Sequence, residues 1–306
     1  MSRFSEQVRL LVSVLPLVAE EKCFALKGGT AINLFIRDMP RLSVDIDLAY
    51  LPLQNREESL EAIDKALKRI KERVVSHFPG LSVSETVLPS TDKTVRLTLK
   101  NDKAQIKIEV TPVLRGSVNP TVIKSLCEKG SDLYGSVQMQ LLSFEDLYGG
   151  KICAALDRQH PRDLYDIYYL LHNEGLTQDL KNTFLVYLLS HPRPIVELLA
   201  PHFKKIDALY EKEFVGMTLE PIALEKLMEE REELIVQIHK SLDERDKEFI
   251  LSFKAGQPRW ELFAFAQAHH LPAIRWKLLN LAKMGMRKRK EALKKLEKVL
   301  SKKGAS

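Results

Sequence analysis

The sequence has few cysteines and no long uninterrupted apolar run. Its 306 residues include only Cys23, Cys127 and Cys153, which lie far apart and form no C-x-x-C pair. A disulfide scaffold is therefore excluded, a zinc site is disfavoured, and reduced thiols in a cytoplasmic protein are expected. The longest apolar stretch, residues 10–18, contains a serine and a proline and is shorter than the ~20 residues that a membrane-spanning helix needs.

The N-terminal segment lacks the small-residue cleavage site of a signal peptide and soon becomes charged, which also favours a cytoplasmic location. Glycine and proline are neither scarce nor abundant, at 13 and 14 residues, while 29% of the residues are charged and 45% are hydrophobic. This composition excludes a collagen-like or low-complexity chain. A chain of this length can bury a substantial core and would normally form two domains.

Positive charge is concentrated near the C-terminus. Twelve Lys or Arg and two acids occur from Arg275 to Lys303, a local balance of +10, which leaves −4 for the rest of a chain whose net charge is +6. Leucines at helical spacing predict an amphipathic helix here, which could be solvated or could bind a phosphate backbone. The cations that would contact a nucleic acid are Arg287, Lys288, Arg289 and Lys290. A membrane-surface helix is disfavoured because Trp276 is the segment's only aromatic residue.

Periodicity predicts an α+β domain followed by an all-helical one. Before residue 175 helical and strand patterns alternate and include an antiparallel meander of three strands, whereas no strand signal occurs beyond it. We therefore place a boundary there, giving domains 1–175 and 176–306. The predicted helices are 4–20 (broken near Pro16), 28–36, 57–78, 144–158 (capped by Ser143) and 161–172, and the predicted strands are 23–26, 44–51, 81–88, 95–99 and 104–113.

Gly28 and Gly29 lie between a short apolar strand and a helix. Without a Cβ the main chain can approach a phosphate closely, and a helix N-terminus offers free N–H groups and the positive end of the dipole. The pair could equally be an ordinary turn.

Asp45 and Asp47 alternate with apolar residues on a predicted strand, so both carboxylates project from one face. Two like charges at that spacing repel each other, and a divalent cation such as Mg²⁺ relieves the repulsion. They could instead pair with Arg37 and Arg41. Glu109, on another predicted strand, either faces solvent or, if the two strands are neighbours, supplies the third carboxylate of a metal-dependent phosphoryl-transfer site.

A second set of charges occupies two successive predicted helices. Lys151 and Arg158 are seven residues apart on one helix face, and Asp163 and Asp166 are three apart on the next. They could bind phosphate oxygens or form an interhelical salt-bridge network. His160 is predicted to be a capping or loop residue, and Trp260, Trp276, His269 and His270 are predicted to pack.

Three segments in this order resemble the motifs of the AbiEii/AbiGii toxin family of nucleotidyltransferases. The first comprises residues 26–32 (LKGGTAI) and 41–48 (RLSVDIDL), and the second comprises residues 107–110 (KIEV). The third runs from residue 144 (FEDL) through Lys151, Ala155 and Arg158 to residues 161–166 (PRDLYD). The resemblance covers roughly residues 20–172, and the combination of motifs is more specific than any one of them.

The resemblance implies a DNA-polymerase-β-like nucleotidyltransferase fold with a mixed or antiparallel sheet. In this family the first-motif Gly and Ser residues bind the NTP phosphates, the D-x-D pair binds Mg²⁺, and the third-motif Lys contacts the triphosphate with support from a following Asp. On this sequence the resemblance implies that Gly28, Gly29, Ser43 and Lys151 bind the nucleotide, that Asp45 and Asp47 bind the metal, and that Asp163 or Asp166 is the supporting acid. We add Thr30 and Arg158 as candidate nucleotide-binding residues and Glu109 as a candidate third metal ligand. His160 departs from the pattern, which more often has Lys or Arg before the proline.

The function that the resemblance implies is that of a toxin paired with a cognate antitoxin. Family members move NMP from an NTP to an acceptor, several of them to the tRNA 3′ end, and the basic C-terminal segment favours a nucleic-acid acceptor here. Two alternatives stay open. The same site could nucleotidylate a protein or a small molecule, or the chain could be a non-catalytic binding subunit.

Overall fold

The computed structural model describes residues 4–89 and 91–301. Its contacts divide the chain into two compact units, one comprising Met1–Leu147 and Val215–Pro221 and the other comprising Tyr148–Phe214 and Ile222–Ser306. The division falls inside a helix that begins at Phe144, and the domain boundary near residue 175 stays a prediction.

A mixed sheet forms the centre of the first unit. Its seven described strands lie in the order β3-β4-β5-β2-β1-β7-β6. Their bounds are β1 (Phe24–Lys27), β2 (Asp45–Tyr50), β3 (Ser82–Leu88), β4 (Lys93–Lys100), β5 (Gln105–Val110), β6 (Val122–Ser125) and β7 (Gln138–Leu141). The pairs β1–β7 and β2–β5 are parallel and the others are antiparallel. The predicted meander β3–β4–β5 is confirmed, whereas the four-residue strands β6 and β7 were not predicted because so short a run shows no distinct alternation.

Helices cover the sheet of the first unit. They are α1 (Ser5–Ala19), α2 (Gly28–Ala31, continued by a π-helical turn over Ile32–Ile36), α3 (Arg56–His77), α4 (Glu128–Tyr134) and the first turn of α5 (Phe144–Arg158). The predicted break near Pro16 is wrong, because α1 continues through this residue. Proline removes one helical hydrogen bond, but Leu11, Leu15 and Val18 are fully buried and their packing offsets the loss.

The strand pattern separates an apolar face from a polar one. Ile46 and Leu48 on β2 and Ile106 and Ile108 on β5 are buried, while the residues between them are only partly covered. Helices α1 and α3 pack against strands of this sheet. The alternating polar residues of β2 and β5 therefore share the opposite face.

The second unit is helical. It contains the rest of α5 and α6 (Pro161–Asn173), α7 (Gln178–Ser190), α8 (Ile195–Leu199), α9 (Asp207–Glu213), α10 (Leu224–Ser241), α11 (Glu244–Ala255), α12 (Pro272–Ala282) and α13 (Met286–Leu300). Two predicted helix starts are confirmed: Ser143 Oγ accepts a hydrogen bond from Asp146 N at 3.1 Å before α5, and Pro161 is the first residue of α6. In the described residues, no helix is both long enough and apolar enough to span a bilayer.

Candidate functional site

The glycine turn (Gly28 and Gly29) lies against polar side chains of the first unit. Gly28 follows β1 directly with φ +74°, and a Cβ on it would lie 2.5 Å from Asp47 Oδ2. A Cβ on Gly29 would lie 2.7 Å from Arg41 Nη2 and 3.0 Å from Ser43 Oγ. Both positions therefore have no room for a larger residue, and the main chain approaches a carboxylate, a guanidinium and a hydroxyl closely.

Thr30 and Asn33 fix the conformation of this turn. Thr30 is buried, and its hydroxyl donates to the main-chain carbonyl of Asp45 at 2.5 Å and lies 3.0 Å from Ser43 Oγ. Asn33 Nδ2 donates to the carbonyl of Gly29 at 3.0 Å. The hydroxyl of Thr30 thus joins α2 to the start of β2, and its role in nucleotide binding stays a prediction.

A row of four charged residues crosses the polar face of the sheet. The strand register pairs Lys27 with Asp47, Asp47 with Glu109, and Glu109 with Arg96, on β1, β2, β5 and β4. Residues that pair across strands project from the same face. Asp45 lies two residues before Asp47 and shares this face, so the condition that β2 and β5 be neighbours is met. We call Asp45 and Asp47 the carboxylate pair.

The side chain of Glu109 bonds to an arginine. Its Oε2 accepts a hydrogen bond from Arg96 Nε at 2.9 Å, and this bond raises the pKa of the Arg96 guanidinium, with the charge of Asp45 acting in the same direction. Within residues 4–89 and 91–301 no three His, Cys, Asp or Glu side chains stand close enough to hold a metal ion together. The role of Glu109 as a third metal ligand stays a prediction.

The carboxylate pair fits a magnesium ion by its chemistry. Mg²⁺ is usually bound through one or two carboxylates, with water and substrate phosphates completing its coordination. The carboxylate pair supplies two such ligands on one strand face, and the main chain of the glycine turn approaches the Asp47 carboxylate closely because Gly28 has no Cβ.

Lys27 and Arg96 belong to this row although sequence reasoning did not select them. Lys27 Nζ lies 3.1 Å from Thr111 Oγ1, just after β5, and its position beside Gly28 in the first motif was a signal that could have identified it. Arg96 had no such signal, since its proximity to Glu109 depends on the register of β4 against β5.

The second unit contains a network between α5 and α6, formed by Lys151, Arg158, Asp163 and Asp166. Lys151 Nζ lies 2.8 Å from Asp163 Oδ1 and 2.9 Å from Asp166 Oδ2, and all three side chains are buried. Arg158 is more exposed and its Nη2 lies 2.8 Å from Asp163 Oδ2. The α5–α6 network is thus an interhelical salt-bridge network. The contribution of its members to nucleotide binding stays a prediction.

His160 caps α6, as predicted. Its Nδ1 accepts a hydrogen bond from Arg162 N at 3.1 Å, and its Nε2 lies 3.2 Å from Glu213 Oε2. Burial lowers the pKa of this imidazole and the charge of Arg162 acts in the same direction, although Glu213 opposes both. A neutral ring with its proton on Nε2 accounts for both contacts.

The four cations of the basic C-terminal helix, α13, differ in their exposure and in their contacts. Arg287, Lys288 and Lys290 are exposed on α13. Arg289 is half-buried, and its guanidinium donates to the main-chain carbonyls of Ala255, Leu281, Ala282 and Met284. It therefore joins the ends of α11 and α12 to α13, while the other three cations remain accessible.

Comparison with known proteins agrees with these motifs. A family model described as "Nucleotidyl transferase AbiEii toxin, Type IV TA system" matches residues 9–279, which is most of the chain. The chain belongs to this family. A solved structure, MenT4, a nucleotidyltransferase toxin from Mycobacterium tuberculosis H37Rv, superposes with a TM-score of 0.58 at 13% identity, covering 97% of this chain and 93% of that one. No curated protein sequence matches the chain.

Membership of the AbiEii family confirms the resemblance and the predicted class of fold. The likeness to MenT4 shows the same nucleotidyltransferase toxin fold. The AbiEii match extends beyond residue 172 through most of the helical unit, which the motif resemblance did not cover, and it ends before α13.

Proposed function

We propose that this protein is a toxin that uses Mg²⁺ to transfer NMP from an NTP to a nucleic-acid acceptor, with the tRNA 3′ end as the acceptor. One observation supports this most strongly. In a member of the AbiEii family, the glycine turn lies against Asp47, on the sheet face that also presents Asp45. This combines a place where phosphate can approach the main chain with two oxygen ligands for a divalent cation.

The nucleotide-binding residues of the family motifs have the following roles under this proposal. The main-chain N–H groups of the glycine turn and the Ser43 hydroxyl bind phosphate oxygens, and Thr30 keeps the turn in place. Lys151 and Arg158 contact the triphosphate, while Asp163 and Asp166 hold the Lys151 ammonium in one orientation through contacts of 2.8 and 2.9 Å. Fixed cations of this kind stabilise charge that develops on the phosphates without reorganising.

The transfer is an in-line displacement. The acceptor hydroxyl oxygen forms a bond to the α-phosphorus, the bond from that phosphorus to the bridging oxygen breaks, and pyrophosphate leaves. Glu109 accepts the hydroxyl proton, and Arg96 holds its carboxylate in position at 2.9 Å. Mg²⁺, held by the carboxylate pair, would supply charge neutralisation on the phosphates.

A nucleic-acid acceptor is supported by the exposed cations of α13. Arg287 and Lys288 lie in its first turn, where they oppose the helix dipole; no acid lies in that turn, although Glu291 in the next turn pairs with Arg287 at 3.1 Å. A polyanion would offset this cost. We also propose that the protein acts in the cytoplasm and that a cognate antitoxin partners it, as expected for a type IV toxin–antitoxin family.

The deciding experiment incubates the protein with each labelled NTP and a cell extract, then separates RNA, protein and small molecules. We expect label in the RNA pool only, no label with Asp47→Ala, and full labelling with Asp132→Asn, an exposed acid of α4 that serves as a matched control. Label in the protein or small-molecule pool would assign a different acceptor. If calorimetry detects no Mg²⁺-dependent NTP binding, the chain is a non-catalytic subunit.

A further inference from the structure

Trp276 is exposed on α12, with 55% of its surface accessible. Tryptophan is usually largely covered, and the other tryptophan, Trp260, contacts the rings of Phe249, Phe263 and His269. No ring contact in the described part of the chain involves Trp276. The sequence-based expectation that both tryptophans pack is therefore right for Trp260 and wrong for Trp276.

The exposed residues beside Trp276 along α12 are cationic, apolar or, in the case of Asn280, polar and uncharged. Arg275, Leu279 and Lys283 are also exposed, and helical spacing places them with Trp276 on one side of α12; we call these four residues the Trp276 face. No aspartate or glutamate occurs between Glu261 and Glu291 in the sequence. The indole is thus presented in a segment of purely positive charge.

Helix α12 is held firmly in the second unit. Ile274 and Leu281 are buried, and the ammonium of Lys277 donates to the main-chain carbonyls of His191 and Arg193 at 2.5 and 2.7 Å. The ammonium of Lys277 therefore bonds within the protein and is not counted among the cations that could bind a ligand. The buried residues and these bonds hold the backbone of the Trp276 face in place. A rigid aromatic side chain loses little conformational entropy when a ligand stacks on it.

We propose that the Trp276 face binds single-stranded nucleic acid, with a base stacked on the Trp276 indole and phosphates beside Arg275 and Lys283. The inference rests on the proposed function, because it extends the nucleic-acid acceptor to an unpaired segment. Every base has a π-face, so an exposed aromatic ring in a basic surface binds single strands with little sequence preference. Bases stacked inside a duplex do not offer that face.

The burial pattern favours nucleic acid over a membrane surface. An interfacial helix needs a continuous apolar face turned outward. On α12 and α13 the apolar residues Ile274, Leu281, Leu296 and Leu300 are buried within the unit. What remains exposed is the Trp276 indole with Leu279 beside it on α12, and Met286 at the start of α13, among cations.

The test measures the affinity of the full-length protein for a labelled single-stranded RNA of about 12 nucleotides, and for a duplex of the same sequence, by fluorescence anisotropy. Trp276→Ala should weaken single-strand binding roughly tenfold, and Trp276→Phe should retain most of it. Leu133→Ala is the matched control, because Leu133 is 56% exposed on α4 and is not part of the Trp276 face. It should change either affinity by no more than about twofold, as surface substitutions usually do.

The salt dependence of the RNA affinity distinguishes the contribution of base stacking from that of charged contacts. Trp276→Ala should leave the slope of log affinity against log salt unchanged, whereas Arg275→Gln with Lys283→Gln should make it shallower. Equal losses for Trp276→Ala and Leu133→Ala, or equal losses on single strand and duplex, would overturn the proposal. Binding of anionic lipid vesicles that depends on Trp276, without RNA binding, would overturn it in favour of a membrane surface.

Failure of this inference can be distinguished from failure of the proposed function. If RNA is labelled but its binding does not depend on Trp276, only the inference fails. If another pool is labelled, the proposed acceptor is wrong, and the anisotropy result still reports on the Trp276 face.

Discussion

Gly28 combines two features that each favour glycine. Its φ of +74° lies in the left-handed region, and a Cβ would meet Asp47 Oδ2 at 2.5 Å. The strain from the backbone and the contact with a proposed metal ligand are separate effects, so one substitution should change both stability and activity.

We predict that Gly28→Ala lowers the free energy of unfolding by about 1–2 kcal/mol, the cost of a left-handed alanine, and abolishes NMP transfer because the Asp47 carboxylate must move. Urea unfolding and the labelled-NTP assay measure the two effects. Gly80→Ala is the control, since no heavy atom lies within 4 Å of the added Cβ. A Gly28→Ala variant with full transfer would show that the position of Asp47 against the turn is unimportant.

Arg96 and Glu109 form a partly exposed ion pair, so their contact should matter more for activity than for stability. Exposed pairs contribute about 1 kcal/mol or less to the free energy of unfolding. We predict that Arg96→Gln lowers kcat roughly 10- to 100-fold by releasing Glu109 from its position, with little change in the KM for NTP. Arg96→Lys should recover part of kcat. A large loss of stability with unchanged kcat would make Arg96 a purely structural residue.

Single residues were predictable from the sequence where the cause is local. The alternation of Asp45 and Asp47 with Ile46 and Leu48 is a property of one strand, and the structure bears it out. The position of Arg96 beside Glu109 depends on pairing between strands, and the role of Arg289 depends on where two other helices end. Neither the position of Arg96 nor the role of Arg289 can be inferred from the neighbouring residues in the sequence.

Helices and strands, like single residues, were predictable where the sequence signal is local. The long amphipathic α3 and the meander β3–β4–β5 have strong local periodicity and clear turns, and both were predicted nearly to their bounds. The strands β6 and β7 are four residues each, and the π-helical turn after α2 has no sequence signature. Burial of its apolar side keeps α1 continuous where a proline predicted a break.

A second buried ion pair makes it possible to test whether the α5–α6 network only stabilises the fold or also takes part in NMP transfer. Lys181 Nζ lies 2.5 Å from Asp246 Oδ2 between α7 and α11, and both side chains are buried, as in the α5–α6 network. Removing Lys181 takes the ammonium from buried Asp246, and removing Lys151 takes it from buried Asp163 and Asp166, of which Asp163 keeps its contact with Arg158.

We predict that Lys151→Met and Lys181→Met each lower the free energy of unfolding by about 3–5 kcal/mol. Under conditions where both variants remain folded, only Lys151→Met should lose transfer. Lys151→Arg keeps a cation between the two carboxylates, and loss of transfer in this folded variant would show that the position of the ammonium matters. Equal activity of the two methionine variants would restrict Lys151 to a structural role.

At the scale of the whole molecule, charge is divided unevenly. The segment from Arg275 to Lys303 has a balance of +10 and the rest of the chain −4. The AbiEii family match ends at residue 279, so +8 of this +10 lies beyond the matched residues. The three family motifs and the basic helix are thus distinct parts of one chain, so the helix can be altered without changing the motifs.

We predict that replacing Arg287, Lys288 and Lys290 together with Gln weakens RNA binding and makes the slope of log affinity against log salt shallower by about two, since each phosphate contact contributes about 0.7 on single strands. Arg289 is left intact because its bonds to main-chain carbonyls stabilise α13. The matched control replaces three exposed lysines elsewhere in the helical unit, Lys205, Lys212 and Lys240. It removes the same charge, and its slope should stay that of the unmodified protein. If both triple variants shift the slope equally, RNA responds to net charge alone and α13 has no specific role in binding the acceptor.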